Sequence, residues 1–438
     1  MINRFKHIIL FLVLINFQLS SHSQGTWGRI EVPTQHNLNS VYFTDSITGW
    51  AVGDSGIIIN TLDGGINWTI QNSTTENDII DVFFVNEFLG WASSFNYVSQ
   101  PYGTTLLKTE NGGVDWIGVL YPEENIFINS ILFLDSLVGW LGGSPHAILN
   151  TIDGGNSWHQ ASVDTSTLAF FPVLSINFYN EQYGYASGGI FDIAGVTWHT
   201  NNGGELWYAI DVSDAPADEI HALHIFDSIQ VMGAGGDPDF GYGVGIISTN
   251  DGGDNWEYEE LEIQGNAVDI DFVNSAEVWA PLGPLRTFIY SVDTGATWTQ
   301  IPTPESTAIF DVIFPDSLHG FAVGNDGAML KFTPETPVSN YSNIISRKDF
   351  LLTNYPNPFN SYTNITFELN KNTGANLLSE IKIYDLLGNK VSSLIPKKTD
   401  SGIFEVRFET STFLDGIYYY QLFIDGSVVA TNRMILIR

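Results

Sequence analysis

Thr61-Leu62-Asp63-Gly64-Gly65-Ile66-Asn67-Trp68 is the stretch that decides the fold. It recurs as Thr109-Glu110-Asn111-Gly112-Gly113-Val114-Asp115-Trp116, as Thr151 to Trp158, as Thr200 to Trp207, as Thr249 to Trp256 and, more weakly, as Ser291 to Trp298. Each copy reads Thr/Ser-x-Asx-Gly-Gly-x-x-Trp, and Thr294 replaces the first glycine of the last one. The repeated pairs are Asp63 and Trp68, Asn111 and Trp116, Asp153 and Trp158, Asn202 and Trp207, Asp251 and Trp256, and Asp293 and Trp298. An Asx side chain accepts hydrogen bonds from backbone amides two residues on, and glycine supplies positive φ without a steric penalty. The box therefore predicts a tight turn with a Trp at its exit. That Trp carries a large apolar area that must be buried.

Between the boxes a second element recurs, starting at Val41, Val82, Ile131, Ile176, Leu223, Ile270 and Val312. The spacings are 41, 49, 45, 47, 47 and 42 residues. Each start is followed by an Asx residue (Asp45, Asn86, Asp135, Asn180, Asp227, Asn274, Asp316) and then by a small/aromatic run such as Gly49-Trp50-Ala51-Val52-Gly53. Four short strands per repeat of this length predict a propeller blade. Seven inner units stand against six boxes. Trp27-Gly28-Arg29-Ile30 reads like a box exit, so the N-terminal strand is expected to complete the seventh blade. Closure of this kind removes open sheet edges. The fold class is all-β: a seven-bladed β-propeller over 24–332, then a small C-terminal β-sandwich.

The chain has 438 residues, no Cys, and 49 Asp and Glu against 16 Lys and Arg. The absence of Cys excludes thiol catalysis and Cys-ligated metal. Between 24 and 332 the only bases are Arg29, Lys108, Arg286 and Lys331. Such a surface repels phosphate backbones, which excludes nucleic acid as a partner. The acidity itself is read as a solubility feature.

Residues 1–23 read as a secretory signal peptide, with Arg4 and Lys6 before an apolar run from Ile8 to Phe17 and small residues Ser21 and Ser23 before Gln24. The run is too short to span a membrane, and no other transmembrane candidate is found. Residues 333–350 are rich in Pro, Ser and Asn and read as a linker. Residues 351–438 alternate apolar and polar residues in strand-like runs.

The Asx turns and boxes are expected on one rim of the propeller. The irregular insertions, Ser93 to Gly103, Ser162 to Leu174, Gly188 to Gly195, Ile210 to His221 and Gly233 to Gly243, are expected on the other. Ligands sit preferentially on loops carried by a rigid scaffold. The ligand-binding candidates are the aromatics there: Phe95, Tyr97, Tyr102, Phe170, Phe171, Phe191, Phe240 and Tyr242. They would stack on sugar rings or grip a peptide; the alternative is that they fill gaps between blades.

The boxes resemble the Asp-box repeats of bacterial neuraminidases. The whole unit is similar to the seven-bladed photosystem II stability/assembly factor propellers. The last domain resembles the type A sorting domain of the type IX secretion system of Bacteroidetes-like bacteria. That resemblance rests on Asn354-Tyr355-Pro356-Asn357-Pro358-Phe359-Asn360, Ile383 to Gly388, Leu414 to Tyr420 and the terminal Arg433 to Ile437. It implies export by the type IX secretion machinery and a secreted or cell-surface location.

A sialidase site needs three arginines to hold a carboxylate, and only Arg29 and Arg286 are present in the propeller. The leading expectation is a non-catalytic module that binds glycan or protein. The alternative is a glycoside hydrolase or lyase using loop-rim carboxylates drawn from Asp164, Asp192, Asp211, Asp214, Asp218, Glu219, Asp237 and Asp239. No catalytic residue and no metal ligand is assigned. His221 and His224 point to opposite faces of a strand. No cofactor is expected. Asp237-Pro238-Asp239 reads as a turn; the alternative, a Ca²⁺ loop, lacks the further oxygen ligands of a dedicated site.

Overall fold

The computed structural model describes residues 25–334 except 146, 165–166, 191–192, 213–218 and 237–242. It also describes 352–437 except 369–378, 385–389, 400–402, 410–412, 414–415 and 425–426. The expected signal peptide and most of the expected linker lie outside the described residues. Two structural units follow each other, 1–337 and 338–438.

The first unit consists of seven four-stranded antiparallel sheets. Blade 1 runs Leu38–Phe43, Gly49–Gly53, Ile58–Thr61 and Thr69–Gln71, in that spatial order. Blade 7 takes Ile309–Asp316, His319–Gly324 and Ala328–Thr333 from the end of the repeats and Thr26–Ile30 from the start. Thr26 pairs with Thr333 and Ile30 with Met329. The ring is therefore closed by its own N-terminal strand. Trp27 drives that closure: its ring lies within 6 Å of Trp279, Phe288, Phe314 and Phe332.

The first strands of successive blades touch one another, and that of blade 1 also touches that of blade 7, so the first strands line the axis. Blades are glued by aromatic stacking. Phe84 of blade 2 lies on Trp50 of blade 1 at 3.5 Å, and Phe133 of blade 3 on Trp91 of blade 2 at 3.5 Å. Phe43 lies on Phe321 at 4.0 Å across the closing seam. Each such pair adds about 0.5–1.5 kcal/mol beyond the area it buries.

The box is a hydrogen-bonded unit. Thr61 Oγ1 accepts from the Gly65 amide at 3.0 Å and donates to Asp63 Oδ1 at 2.9 Å. Asp63 Oδ1 accepts from the Asn67 amide, four residues on, at 2.9 Å. The sequence-based expectation of a bond two residues on is thus wrong for the box: its two glycines carry the chain round at φ 69° and 77° before the amide turns back. The two-residue bond does occur at the separate Asx turns, where Asp45 Oδ1 accepts from Ile47 and Thr48. Thr294 holds the glycine position at φ 61° in the last box, and its hydroxyl donates to the Ser275 carbonyl.

The box Trps pack on the first strands, Trp68 edge-on to Phe43 and Trp207 edge-on to Phe178. Trp68, Trp116 and Trp207 are buried, whereas Trp158, Trp256 and Trp298 are half-buried.

The second unit is a sandwich of two four-stranded sheets. One holds Thr353–Tyr355, Tyr362–Glu368, Lys397–Lys398 and Ile403–Glu409; the other holds Ser379–Tyr384, Lys390–Leu394, Gly416–Ile424 and Ser427–Leu436. Their inner faces share one core containing Phe359, Ile365, Phe367, Ile383, Tyr420, Met434 and Leu436.

Candidate functional site

Three regions of the propeller carry chemistry: the axis, the loop rim, and the grooves between neighbouring boxes. At the axis nearly every first strand bulges at the same place: Leu38/Ser40, Ile79/Asp81, Ile128/Ser130, Val173/Ser175, Ile220/Ala222 and Ile309/Asp311. Each first strand is also the edge of its sheet, so alternate backbone amides point away from its own ladder. The preceding blade supplies the acceptor. Asp311 Oδ2 accepts from Val41 at 2.7 Å, Asp81 Oδ2 from Ile131 at 2.7 Å, Asp269 Oδ2 from Val312 at 2.8 Å, and Ser130 Oγ from Ile176 at 3.2 Å. Asp271 does the same for Phe314 at 2.7 Å.

These carboxylates are half-buried, and desolvation disfavours the charge of Asp81, Asp269 and Asp311. Asp81 is pushed up to about 6, chiefly by desolvation. Asp269 is held well above the usual carboxylate range by burial and by Asp311, to which it is hydrogen-bonded; Asp311 is raised as well, also by burial. The axial acids are therefore clasps between blades. Sequence reasoning missed them because nothing but their common place in the repeat distinguishes them from the other acids.

The aromatics expected on the loop rim fall into different surroundings. Phe95 is not on a loop: it lies in the strand Gly90–Asn96 and is buried. Its strand runs on two residues beyond Ser94, so the ring plugs the blade. Phe171 packs into the core of blade 4. Tyr97 is 58% exposed and stacks on Phe127 at 5.0 Å, with Phe95 edge-on beneath at 5.6 Å. Asn96 fixes the loop below it through bonds to the Ser99 and Pro101 carbonyls. Tyr102 is about a third exposed, and Phe170 is exposed at the end of a short 3-10 turn, Thr167–Phe170. Phe127 belongs to this cluster and escaped sequence analysis, because it reads as an ordinary strand residue. Phe191, Phe240 and Tyr242 lie outside the described residues, as do Asp192, Asp214, Asp218, Asp237 and Asp239.

One insertion crosses the expected division of rims. Val163 forms a parallel bridge with Trp207, and the flanking Ser162 and Asp164 bond the Trp207 amide and carbonyl. Asp164 thus lies at the outer edge of blade 4 on the box side. There it shares a groove with His199 and Asp254 instead of standing on the loop rim. His199 is buried, stacked on Tyr208, and burial lowers its pKa.

His221 sits at the blade 5 bulge; its Nε2 meets Asn266 at 2.8 Å. His224 meets Asp271 at 3.2 Å. The two share no partner, and among the described residues no group of three or more His, Asp or Glu is arranged to hold a metal.

The four propeller bases are all accounted for locally or near a box. Arg29 pairs with Glu305 and the Asp326 carbonyl, Lys331 with the Gly64 carbonyl, and Lys108 with Glu110. Arg286 occupies a turn at φ 57°.

In the second unit, the Asn354–Phe359 motif is a clasp for the last strand. Asn357 accepts from the Ile435 amide at 2.8 Å and donates to the Arg433 carbonyl at 3.3 Å. Phe359 bonds backbone to backbone with Ile435 and Ile437. Asn354 accepts from the Tyr420 hydroxyl at 3.0 Å.

Residues 19–124 and 116–228 match the family described as photosynthesis system II assembly factor YCF48. Residues 353–437 match the secretion system C-terminal sorting domain. The photosystem II assembly lipoprotein Ycf48 of Synechococcus sp. (strain CC9902) is 24% identical over 373 residues, covering 74% of this chain and 96% of that one. Among solved structures, one described as YCF48 bound to D1 peptide superposes with a TM-score of 0.56 at 21% identity, covering 70% of this chain and 97% of that one. A GH74 xyloglucanase from Xanthomonas campestris superposes with a TM-score of 0.53 at 12% identity, covering 78% of this chain and 59% of that one. These likenesses establish the propeller; at such identities they carry the fold and not the activity.

Proposed function

We propose that this chain, whose propeller is of the photosystem II assembly-factor type and whose last domain is a secretion-system sorting domain, is an exported, non-catalytic binding module. The sorting domain hands the folded propeller to the type IX secretion machinery, which delivers it to the cell surface or the medium. The propeller then holds a ligand on its loop rim through Tyr97, Tyr102, Phe170 and the stacked Phe127. No cofactor takes part.

The observation that carries this reading is the pairing of an assembly-factor-type ring with an export domain, in a molecule whose described polar clusters are engaged in holding blades together. The axial carboxylates are bonded to backbone amides. Asp164, one of the expected loop-rim carboxylates, lies on the box side of blade 4 instead. A protein ligand is favoured over a glycan. The relatives are assembly factors, and one solved relative is described with a peptide bound.

The test scores retention and reducing-sugar release on plant, algal and host polysaccharides, and in parallel the binding of displayed peptides. It compares the full-length chain with its Tyr97→Ala and Phe170→Ala variants. Binding without turnover, weakened in the variants, is expected. Sugar release that one loop-rim carboxylate substitution abolishes overturns the proposal.

A further inference from the structure

The outer strand of blade 2, Ile117–Leu120, is exposed at every residue and reads Ile-Gly-Val-Leu. Ile117 and Val119 are 68% and 65% exposed. An apolar outer strand with an open edge is a template for another strand, and proteins ordinarily blunt such edges with charge. Other outer strands are less apolar: blade 5 exposes Glu257, Glu259 and Glu260, blade 6 exposes Thr299 and Gln300, and blade 1 shows a single exposed aliphatic, Ile70.

Beside this strand lies a groove of about 560 Å³ between blades 2 and 3. Its lining includes Trp91, Lys108, Glu110, Asp115, Val119 and Trp158. The corresponding position between blades 1 and 2 shows what is different. There Gln71 spans the gap: its Nε2 donates to the Gly112 carbonyl at 2.8 Å, and its Oε1 accepts from the Trp116 indole at 3.2 Å. Val119 stands at the place of Gln71, two residues into the outer strand, and can do neither. Trp91, only 2% exposed, and Trp158 both keep indole N–H groups without a partner in this groove. Unpartnered box indoles also occur at Trp68, Trp207, Trp256 and Trp298. The distinguishing feature is the open apolar edge that the groove joins.

The molecule already uses such an edge once. On blade 4, Val163 of an inter-blade loop adds in parallel register against Trp207. No segment of the described chain does so on blade 2. The charge of the groove indicates the occupant. Lys108 is neutralised by Glu110 at 3.1 Å, which leaves Asp115 as net negative charge in a propeller rich in acids.

We propose that the blade 2 edge and the adjoining groove bind an extended segment of a partner protein by strand addition. The segment places alternate apolar side chains on Ile117 and Val119 and a Lys or Arg toward Asp115. Main-chain bonds supply affinity and the alternate pockets supply specificity, as in other strand-addition sites. This inference rests on the reading of the chain as a protein-binding propeller, but uses a surface apart from the loop-rim aromatics.

The experiment selects a displayed library of short random peptides on the full-length chain. Selected peptides are then measured against Val119→Gln, which restores the plug seen at Gln71, and Ile117→Lys, which puts charge on the edge. Both positions are exposed, so unchanged melting of each variant confirms the fold. The expected result is enrichment of a class of alternating apolar peptides carrying Lys or Arg, whose affinity falls about tenfold or more in both variants. No enrichment, or equal affinity for wild type and both variants, overturns the proposal. Self-association of the wild-type chain that Ile117→Lys abolishes overturns it too, by assigning the edge to a second copy. If this alternating class is lost in Tyr97→Ala and kept in both edge variants, the proposal is overturned while the loop-rim reading stands; if peptides of other composition ignore Tyr97→Ala, the loop-rim reading fails alone.

Discussion

Asp311 Oδ2 accepts the backbone N–H of Val41 at 2.7 Å, across 270 residues of sequence. The bond joins the first strand of the last blade to that of the first, where Val41, opposite Ala51, turns its amide to the open edge of its own strand. With the pairing of Thr26–Ile30 on Ala328–Thr333, it closes the ring twice, once at the axis and once at the periphery.

Replacing Asp311 by Ala is expected to destabilise the propeller by roughly 1–3 kcal/mol, since it strands a buried amide. Asp311→Asn keeps an acceptor and should cost less. Chemical denaturation of the three proteins checks the order; an alanine variant as stable as wild type removes the clasp from the account.

The axial acids also set a pH dependence. Asp81 titrates near 6 when folded against an ordinary value of 3.8, so the unfolded chain ionises first as pH rises. Its contribution is fully present below about pH 4 and is lost as pH climbs through 6, each pH unit between the two values removing roughly 1.4 kcal/mol. The box aspartates act oppositely. Asp153 is lowered to about 2 by its bonds from Ser157 and Thr151, so its contribution is present above pH 4 and lost as pH falls toward 2. Stability should peak near pH 4–5, and Asp81→Asn should flatten the decline toward neutrality. Melting temperature against pH tests this; a rise between pH 5 and 7 contradicts it.

Trp27→Ala is expected to cost about 3–5 kcal/mol, because its ring fills a site among Trp279, Phe288, Phe314 and Phe332 that cannot collapse. It should also free the edge of Ala328–Thr333 and promote aggregation. Light scattering on heating reads both effects.

Thr151 is wholly buried, and its hydroxyl accepts from Gly155 while donating to Asp153. Thr151→Val removes both bonds with little change of volume and should lower stability by about 1–3 kcal/mol. Equal stability would make the box a sequence habit and not a structural device.

Asn357→Ala should loosen the last strand of the sorting domain and reduce export, since Asn357 bonds both Arg433 and Ile435. The fraction of chain outside the cell, compared with that for a deletion of 351–438, measures it. Export equal to wild type would mean that this clasp is not what the machinery requires.

Much of the fold was legible because the box is a local device: Thr, Asx, two glycines and a Trp specify a turn without help from distant residues. The seventh blade was legible for a related reason, since Trp27-Gly28-Arg29-Ile30 repeats a box exit. What escaped was non-local. Whether Phe95 is a plug or a contact depends on how far its strand runs before the turn at Asn96. The role of Asp81, Asp269 and Asp311 appears only when the first strand of the next blade presents an amide on its open edge. Asp164 left its expected rim because Val163 found the edge at Trp207. In the sorting domain, the short strands Thr353–Tyr355, Lys390–Leu394 and Lys397–Lys398 lack the alternation that marked the others.

The central claim is binding without catalysis. The most direct measurement incubates the full-length chain with immobilised plant, algal and host polysaccharides and with displayed peptides, reading retention and reducing sugar from the same wells. The account predicts retention of peptides, weakened by Tyr97→Ala or Phe170→Ala, with no sugar above the buffer control. Sugar release that disappears on substituting a single loop-rim carboxylate such as Asp211 contradicts it and makes the propeller an enzyme.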